Sequence, residues 1–392
     1  MLFPADHEQS FAFPPLPVDI RFGCGSVARL PELVSALGGG KVLVVTDPGI
    51  AQAGLVDRVI GPIAAAGISC DTFDQVRPDS GSDLIMAGAS LTREGRFDVI
   101  VGIGGGSSLD SAKAIAAMAT NEGSILDYIG LDKLSRDPLP SICIPTTSGT
   151  GSEVSIWSVL TDDATGNKVS AGGARFMARM ALCDPDLTMT LPASVTAATG
   201  MDALGHAVEC FVNRACQPVS GALALQSIAL IGKSLRAAVA DGSDRAARYD
   251  MMLASVLAGM AMNPTRLGLA HALAMPLGSG TIKIPHGTII AITLPTVMAF
   301  NAEAAPARYA AVARALAVNV DGLSELEAAR AGVQAVQKLK DDVGIPPGLA
   351  ACGFKEAMVE PVVKEAMKSG NVPVNPRMTQ AHELAQILRS AM

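Results

Sequence analysis

Paired cysteines, basic runs and long apolar runs are all missing from this chain of 392 residues. Its seven cysteines, at positions 24, 70, 143, 183, 210, 216 and 352, include no C-x-x-C pair. That scatter suits a reducing compartment, with most of the thiols acting as small buried hydrophobes. With no basic run and a formal charge of −7, neither nucleic acid nor an anionic membrane is expected as the main partner. No uninterrupted apolar run reaches the roughly 18–20 residues of a membrane span. The opening Met1–Glu8 has no basic segment leading into an apolar one, so no signal peptide is expected and the protein is placed in the cytoplasm. Aromatic residues make up only 4%, and no Arg or Lys stands out as the mark of a carboxylate or phosphate pocket.

What is present is a globular composition, 49% hydrophobic and 17% charged with 39 glycines, long enough for two domains with a full core each. The first half alternates short apolar runs with helical stretches. Lys41–Thr46 closes on Asp47-Pro48-Gly49, Asp98–Gly102 runs into a glycine cluster, and Ser141–Pro145 runs into Thr146-Thr147-Ser148-Gly149. Continuous apolar runs fit strands buried on both faces, hence a parallel sheet covered by helices. Leu55–Ala66 and Ser107–Thr120 read as helices between them. Beyond Asp184-Pro185 and Leu191-Pro192 the strand signal fades. Ala/Leu-rich stretches follow over Val195–Asn213, Ser220–Ala240, Arg245–Met262, Ala305–Leu316, Leu326–Val343, Lys355–Lys368 and Gln380–Ala391. The expectation is an α/β domain over residues 1–191 and an all-helical domain over residues 192–392. The proline-rich Phe11–Pro17 reads as an extended arm, of a kind that often packs on a neighbouring subunit.

Two places carry chemistry. The first is Val101-Gly102-Ile103-Gly104-Gly105-Gly106-Ser107-Ser108, between a strand and a helix. Glycines let the backbone approach a phosphate, and the helix N-terminus offers free N–H groups. A tight turn is the plain alternative, but three consecutive glycines exceed what a turn requires. Lys113, on the helix that follows, reads as a solvent-facing residue, and Asp110 as a brace for the loop. Asp47 either accepts hydrogen bonds from an adenosine ribose, favouring NAD over NADP, or caps the turn before Pro48.

The second is a set drawn from only five histidines. Asp202 and His206 are one helical turn apart, which stacks both side chains on one face with Cβ atoms roughly 5–6 Å apart. His271 opens a helix-like stretch with Met275 one turn on. His286, between Pro285 and Gly287, reads as projecting from a turn. A lone histidine is usually a satisfied core residue. One carboxylate and three imidazoles together suit a divalent first-row metal with an open position, and an unpartnered carboxylate beside the apolar Met201, Leu204, Val208 and Phe211 would be costly. The two sets are expected to face one cleft between the domains.

These segments resemble the iron-containing, or group III, alcohol dehydrogenase family. The resemblance runs through Phe22-Gly23-Cys24-Gly25-Ser26, Val45-Thr46-Asp47, Gly104–Lys113, Pro145–Glu153, Asp184-Pro185, Ala198–Glu209, Gly268–Gly287 and Asn375-Pro376-Arg377. It implies a Rossmann-like α/β domain and a helical domain, the dehydroquinate synthase-like fold, with the active site between them. It implies Fe²⁺, or Zn²⁺ or another divalent ion, on Asp202, His206, His271 and His286, and NAD contacts at Asp47, Gly105, Gly106, Ser107, Thr146, Thr147, Ser155, Lys168 and Leu187. It also implies a homodimer or higher homo-oligomer. The expected reaction moves a hydride between a small alcohol or aldehyde and nicotinamide. Two departures stand out. Met275 occupies a position where the family often has a second histidine near the substrate, which alters the proton route and the pocket shape. The stretch from His271 to His286 is also about one residue longer than usual. Alternatives are a metal-independent reductase resembling maleylacetate reductase, in which Asn tends to replace Asp202, a lyase resembling dehydroquinate synthase, and an inactive dinucleotide-binding protein.

Overall fold

Alternating burial within continuous apolar strands explains the first half of the chain. In the computed structural model, which describes residues 11–13, 16–279 and 283–392, Leu43 and Val45 of one strand enter a different apolar cluster from Val42 and Val44. Both faces of the sheet are therefore covered, as period-2 side chains in a buried parallel sheet demand. The strands are β1 (Asp19–Phe22), β2 (Lys41–Val45), β3 (Ser69–Phe73), β4 (Val99–Gly104), β5 (Gly130–Leu131), β6 (Ser141–Pro145), β7 (Trp157–Thr161), β8 (Lys168–Gly172) and β9 (Met180–Cys183). Six of them form one sheet in the order β1-β9-β6-β4-β2-β3, with every pairing parallel. β5, β8 and β7 form a small mixed sheet of their own. The connecting helices are α1 (Leu30–Ala36), α2 (Pro48–Gln52), α3 (Asp57–Ala65), α4 (Ser82–Gly95) and α5 (Gly106–Thr120).

The chain runs from β2 outward to β3, then returns to β4 on the other side of β2. Strand order reverses there, so the carboxyl ends of β2 and β4 flank a crevice of the kind that takes ligands in open α/β sheets. Asp47 follows β2, and Gly105–Ser107 follow β4.

Lys113 is not solvent-facing. Its side chain is fully buried beside Asp110, 3.1 Å away, and its ammonium donates to the backbone carbonyls of Ser152, Ser155 and Trp157. Asp110 in turn accepts from Val159 N–H and from the Ser152 hydroxyl. The pair ties α5 to the loop after β6 and to β7. Removing one member of a buried pair strands the other, at a cost of about 3–5 kcal/mol. Lys113→Met is thus expected to destabilise the fold by an amount in that range; a chemical-denaturation midpoint equal to that of the parent would refute this anchoring role.

The described residues divide into two compact units, one of residues 16–191 and one of residues 11–13 and 192–392. The second consists of α6 (Ala193–Val212), α7 (Pro218–Ala240), α8 (Arg245–Thr265), α9 (Leu269–Leu277), α10 (His286–Asn301), α11 (Pro306–Ala315), α12 (Glu325–Asp342), α13 (Val359–Ala366) and α14 (Ala381–Ser390). No strand occurs there among the described residues. Helix α7 is long and apolar enough to cross a membrane by length and composition alone. Here Ile228, Ile231 and Leu235 are buried in the core of the helical unit, with α6 and α8 packed alongside, which accounts for its apolar side. Asn301 and Asn375 exchange two hydrogen bonds of 2.8 Å, and Arg377 lies over the Phe300 ring while pairing with Glu383. The Asn375-Pro376-Arg377 motif thus fastens the C-terminal segment to α10. Of the expected N-terminal arm, residues 14 and 15 lie outside the described residues, as do Met1–Glu8 and, within Gly268–Gly287, residues 280–282.

Candidate functional site

One face of α6 carries Asp202 and His206, four residues apart as the spacing requires. α9 brings His271, its third residue, and α10 begins at His286. His286 was expected on a turn. Instead Pro285 is the N-cap and His286 the first helical residue. The start of α10 can approach α6 because position 287 is glycine: a Cβ there would collide with the backbone carbonyl of Ala198.

The result is a tight cluster. The donor atoms of Asp202, His271 and His286 lie within 4.8 Å of one another. Both His271 Nε2 and His286 Nε2 are 3.6 Å from Asp202 Oδ1. The His206 ring stacks on that of His271 at 4.4 Å between centroids. Asp202, His206 and His271 are buried, and the His286 side chain is about one-third exposed. Asp202 Oδ1 and His271 Nε2 are buried atoms without a hydrogen-bond partner. Such orphans are rare because each costs desolvation free energy. Two facing each other at 3.6 Å mark a place for a shared cation, and a carboxylate with imidazoles is a donor set for divalent iron or zinc.

Electrostatics agrees. Burial pushes the Asp202 carboxyl up, but His206, His286 and His271 outweigh it and hold it well below the usual carboxylate range. Burial opposes charge on His271, yet the carboxylates of Asp202 and Glu209 beside it raise it to about 9. A proton thus competes for the place a metal would take. Affinity for a divalent ion is expected to climb by up to about tenfold per pH unit until the imidazole loses its proton near pH 9. A titration that finds the same affinity at about pH 6 and pH 8 would rule this competition out.

Glu209 had no role assigned from sequence. It is buried on the same face of α6 and hydrogen-bonded to His271 Nδ1 at 2.6 Å. It also accepts from the backbone N–H groups of Gly268 and Ala270. Its signal was available, since 202, 206 and 209 share one helical stripe.

In the α/β unit, Gly104 has φ +145°, a region open to glycine alone, and from there the chain turns into α5. Gly105 is the N-cap of α5, without a side-chain cap. Asp47 caps α2: its Oδ1 accepts from Gly49 and Ile50 N–H, and its Oδ2 accepts from the Ser108 hydroxyl at 3.1 Å. The capping role is realised, and the carboxylate still stands at the switch point beside the glycine loop. Thr146 N–H bonds to Gly104 O, while its hydroxyl is buried without a partner. Thr147 approaches Gly105. Ser107 Oγ accepts from Asp79 N–H, and the Lys168 ammonium, nearly buried, pairs with the Asp79 carboxylate at 2.6 Å. Asp79, a second residue given no role from sequence, holds a left-handed backbone, φ +57°. Ser155 spends its hydroxyl on Trp157 N–H, and Leu187 is buried in a core cluster. The structure thus gathers Asp47, Gly105, Gly106, Ser107, Thr146, Thr147 and Lys168 around the ends of β2, β4 and β6, and uses the side chains of Ser155 and Leu187 within the fold.

These features define a metal- and dinucleotide-dependent oxidoreductase type, and comparison with known proteins fixes the family. The pattern described as "Iron-containing alcohol dehydrogenase" matches residues 17–185, and that of the "Fe-containing alcohol dehydrogenase family, C-terminal" matches residues 196–392. The chain is 40% identical to a choline dehydrogenase of Bacillus subtilis (strain 168) over 92% of its length and 90% of the relative's. It is 37% identical to an NAD-dependent methanol dehydrogenase of Bacillus methanolicus, covering 98% of this chain and 100% of that one. A crystal structure of 1,3-propanediol oxidoreductase superposes with a TM-score of 0.95 at 39% identity, over 97% of this chain and 100% of that chain. The protein belongs to the iron-containing alcohol dehydrogenase family and is an oxidoreductase acting on alcohols and aldehydes.

Proposed function

We propose that residues 1–191 bind NAD(H), that residues 192–392 bind a divalent metal, and that the enzyme transfers a hydride between a small alcohol or aldehyde and nicotinamide. The observation that carries this reading is the pair of orphaned buried atoms, Asp202 Oδ1 and His271 Nε2, within the cluster that also holds His286 and His206. An iron or zinc ion on Asp202, His206, His271 and His286 would supply Lewis-acid polarisation of the substrate oxygen, and NAD the hydride-accepting ring. The carboxylate sets the charge of the site, and the three imidazoles keep it neutral enough to bind a substrate oxygen. Buried Met201, Leu204 and Val208 share α6 with Asp202 and His206, and a low-dielectric surrounding strengthens each electrostatic contact.

Gly105, Gly106 and Ser107 present the N-terminus of α5 to the cofactor phosphates. Asp47 would accept from the adenosine ribose and disfavour a 2′-phosphate, and Thr146, Thr147 and Lys168 would help to hold the same cofactor. Ser155 and Leu187 complete the proposed set of NAD contacts. Met275 is a thioether and holds no transferable proton, so the chain offers no proton relay at that position.

A carboxylate at position 202 favours this reading over the metal-independent reductase. Relatives named for choline, methanol and propanediol differ widely in substrate, and the small primary alcohol or aldehyde stands as the working class. We also propose a cytoplasmic homodimer or higher homo-oligomer; seven free thiols suit a reducing compartment.

Asp202→Ala and His271→Ala are expected to strip the metal and lower turnover by at least about 100-fold. Binding of NADH, followed by its fluorescence, should stay within about twofold of the parent. Full turnover in either variant, measured beside metal content, would defeat the proposal.

A further inference from the structure

Asp202, His206 and Glu209 fall at positions i, i+4 and i+7 of α6, so one helical stripe carries all three. The third does not join the cluster of donor atoms. Its Oε2 meets His271 Nδ1 at 2.6 Å and Gly268 N–H at 2.8 Å, and its Oε1 accepts from Ala270 N–H at 2.7 Å. The two backbone bonds fix the carboxylate plane against the first turn of α9. An ionised carboxylate can only accept, so the contact with Nδ1 places the imidazole proton on that nitrogen. In a neutral ring this leaves a lone pair on Nε2, the atom that is buried without a partner and faces Asp202 Oδ1.

We infer that Glu209 is a positioning residue for the metal: it holds His271 in the Nδ1–H tautomer, aims Nε2 at the ion and increases its basicity. This rests on the metal-binding reading above and extends it to a residue that does not itself touch the ion. Partners of this kind orient a ligating histidine and strengthen it as a donor, and their loss typically costs 10–100-fold in metal affinity.

Two substitutions separate this role from simple packing. Glu209→Gln keeps the size but has a single acceptor oxygen, so it cannot accept from His271 Nδ1–H, Gly268 N–H and Ala270 N–H together and no longer fixes the tautomer. Glu209→Asp keeps an acceptor-only group at shorter reach. A role through the tautomer makes Gln the more damaging change for metal binding; a role through packing makes Asp the more damaging one.

The test is a Co²⁺ titration of the full chain after chelation, followed by the visible d–d band, with NADH fluorescence as a check that the remainder of the protein is intact. The expected result is a loss of Co²⁺ affinity of about 10–100-fold in E209Q and a smaller loss in E209D. Parent-like affinity in E209Q, or a larger loss in E209D, would overturn the inference. A distinct outcome, Co²⁺ binding that Asp202→Ala leaves intact, would bring down the metal reading itself.

Discussion

A carboxylate buried in an apolar helical unit is the constraint on which the site depends. Asp202 sits buried on α6, with imidazoles around its carboxylate. Desolvating such an ion costs several kcal/mol even after the protein relaxes, and the cost is recovered only by positive charge at close range. Three histidines from three helices supply the surroundings, and Asp202 Oδ1 still lacks a hydrogen-bond partner. Removing the charge would be the cheap route to stability. Keeping it while leaving its oxygen open makes sense when the intended partner is a bound cation.

How much of this could be seen in the sequence depended on how far apart the partners lie along the chain. Asp202 and His206 are one turn apart, and helical periodicity alone puts them together. The meeting of His271 and His286 with them follows from packing between α6, α9 and α10, for which the sequence offers only residue type. The boundary of α10 was misread because Pro285 and Gly287 look like turn residues, while Pro295 and an apolar surface on all sides obscure the 3.6-residue pattern. Glu209 was overlooked because its partners are around sixty residues away, although its stripe position on α6 was visible. Lys113 looked exposed because lysine usually is; it is buried because three carbonyls and a carboxylate converge on it. β3, with the sequence SCDTF, is polar enough to be missed as a strand, and its parallel pairing with β2 sets its place.

The α/β unit solves a different problem. A dinucleotide is held largely by backbone groups, so its recognition depends on where chain ends and helix starts fall. The reversal of strand order between β2 and β4 puts the glycine loop and Asp47 side by side. The two readings of Asp47 are compatible for this reason: one oxygen caps α2 and fixes the carboxylate's orientation, while the other stands at the crevice next to Ser108. The buried Lys113–Asp110 pair lies behind the same loop, tying α5 to the segment that contains Thr146 and Thr147. Charge is used here as scaffold, a different role from the one it plays on α6.

The two units therefore encode function in different currencies. In the helical unit identity matters at each ligand, since no other side chain supplies an imidazole lone pair or a carboxylate at those positions, and the residues announce themselves by rarity. In the sheet unit geometry matters more than identity. Glycine at 104 is fixed by its φ, whereas Ser107 and Lys168 act through hydrogen bonds that several residue types could make. A short list of rare side chains is thus enough to find the candidate metal cluster, while the meeting of the glycine loop with Asp47 follows from strand order. Asp79 shows the point most directly: nothing about an Asp in a Pro-Asp-Ser loop suggests a role, yet it joins Lys168 to Ser107 and so holds together two residues that the sequence could name only separately.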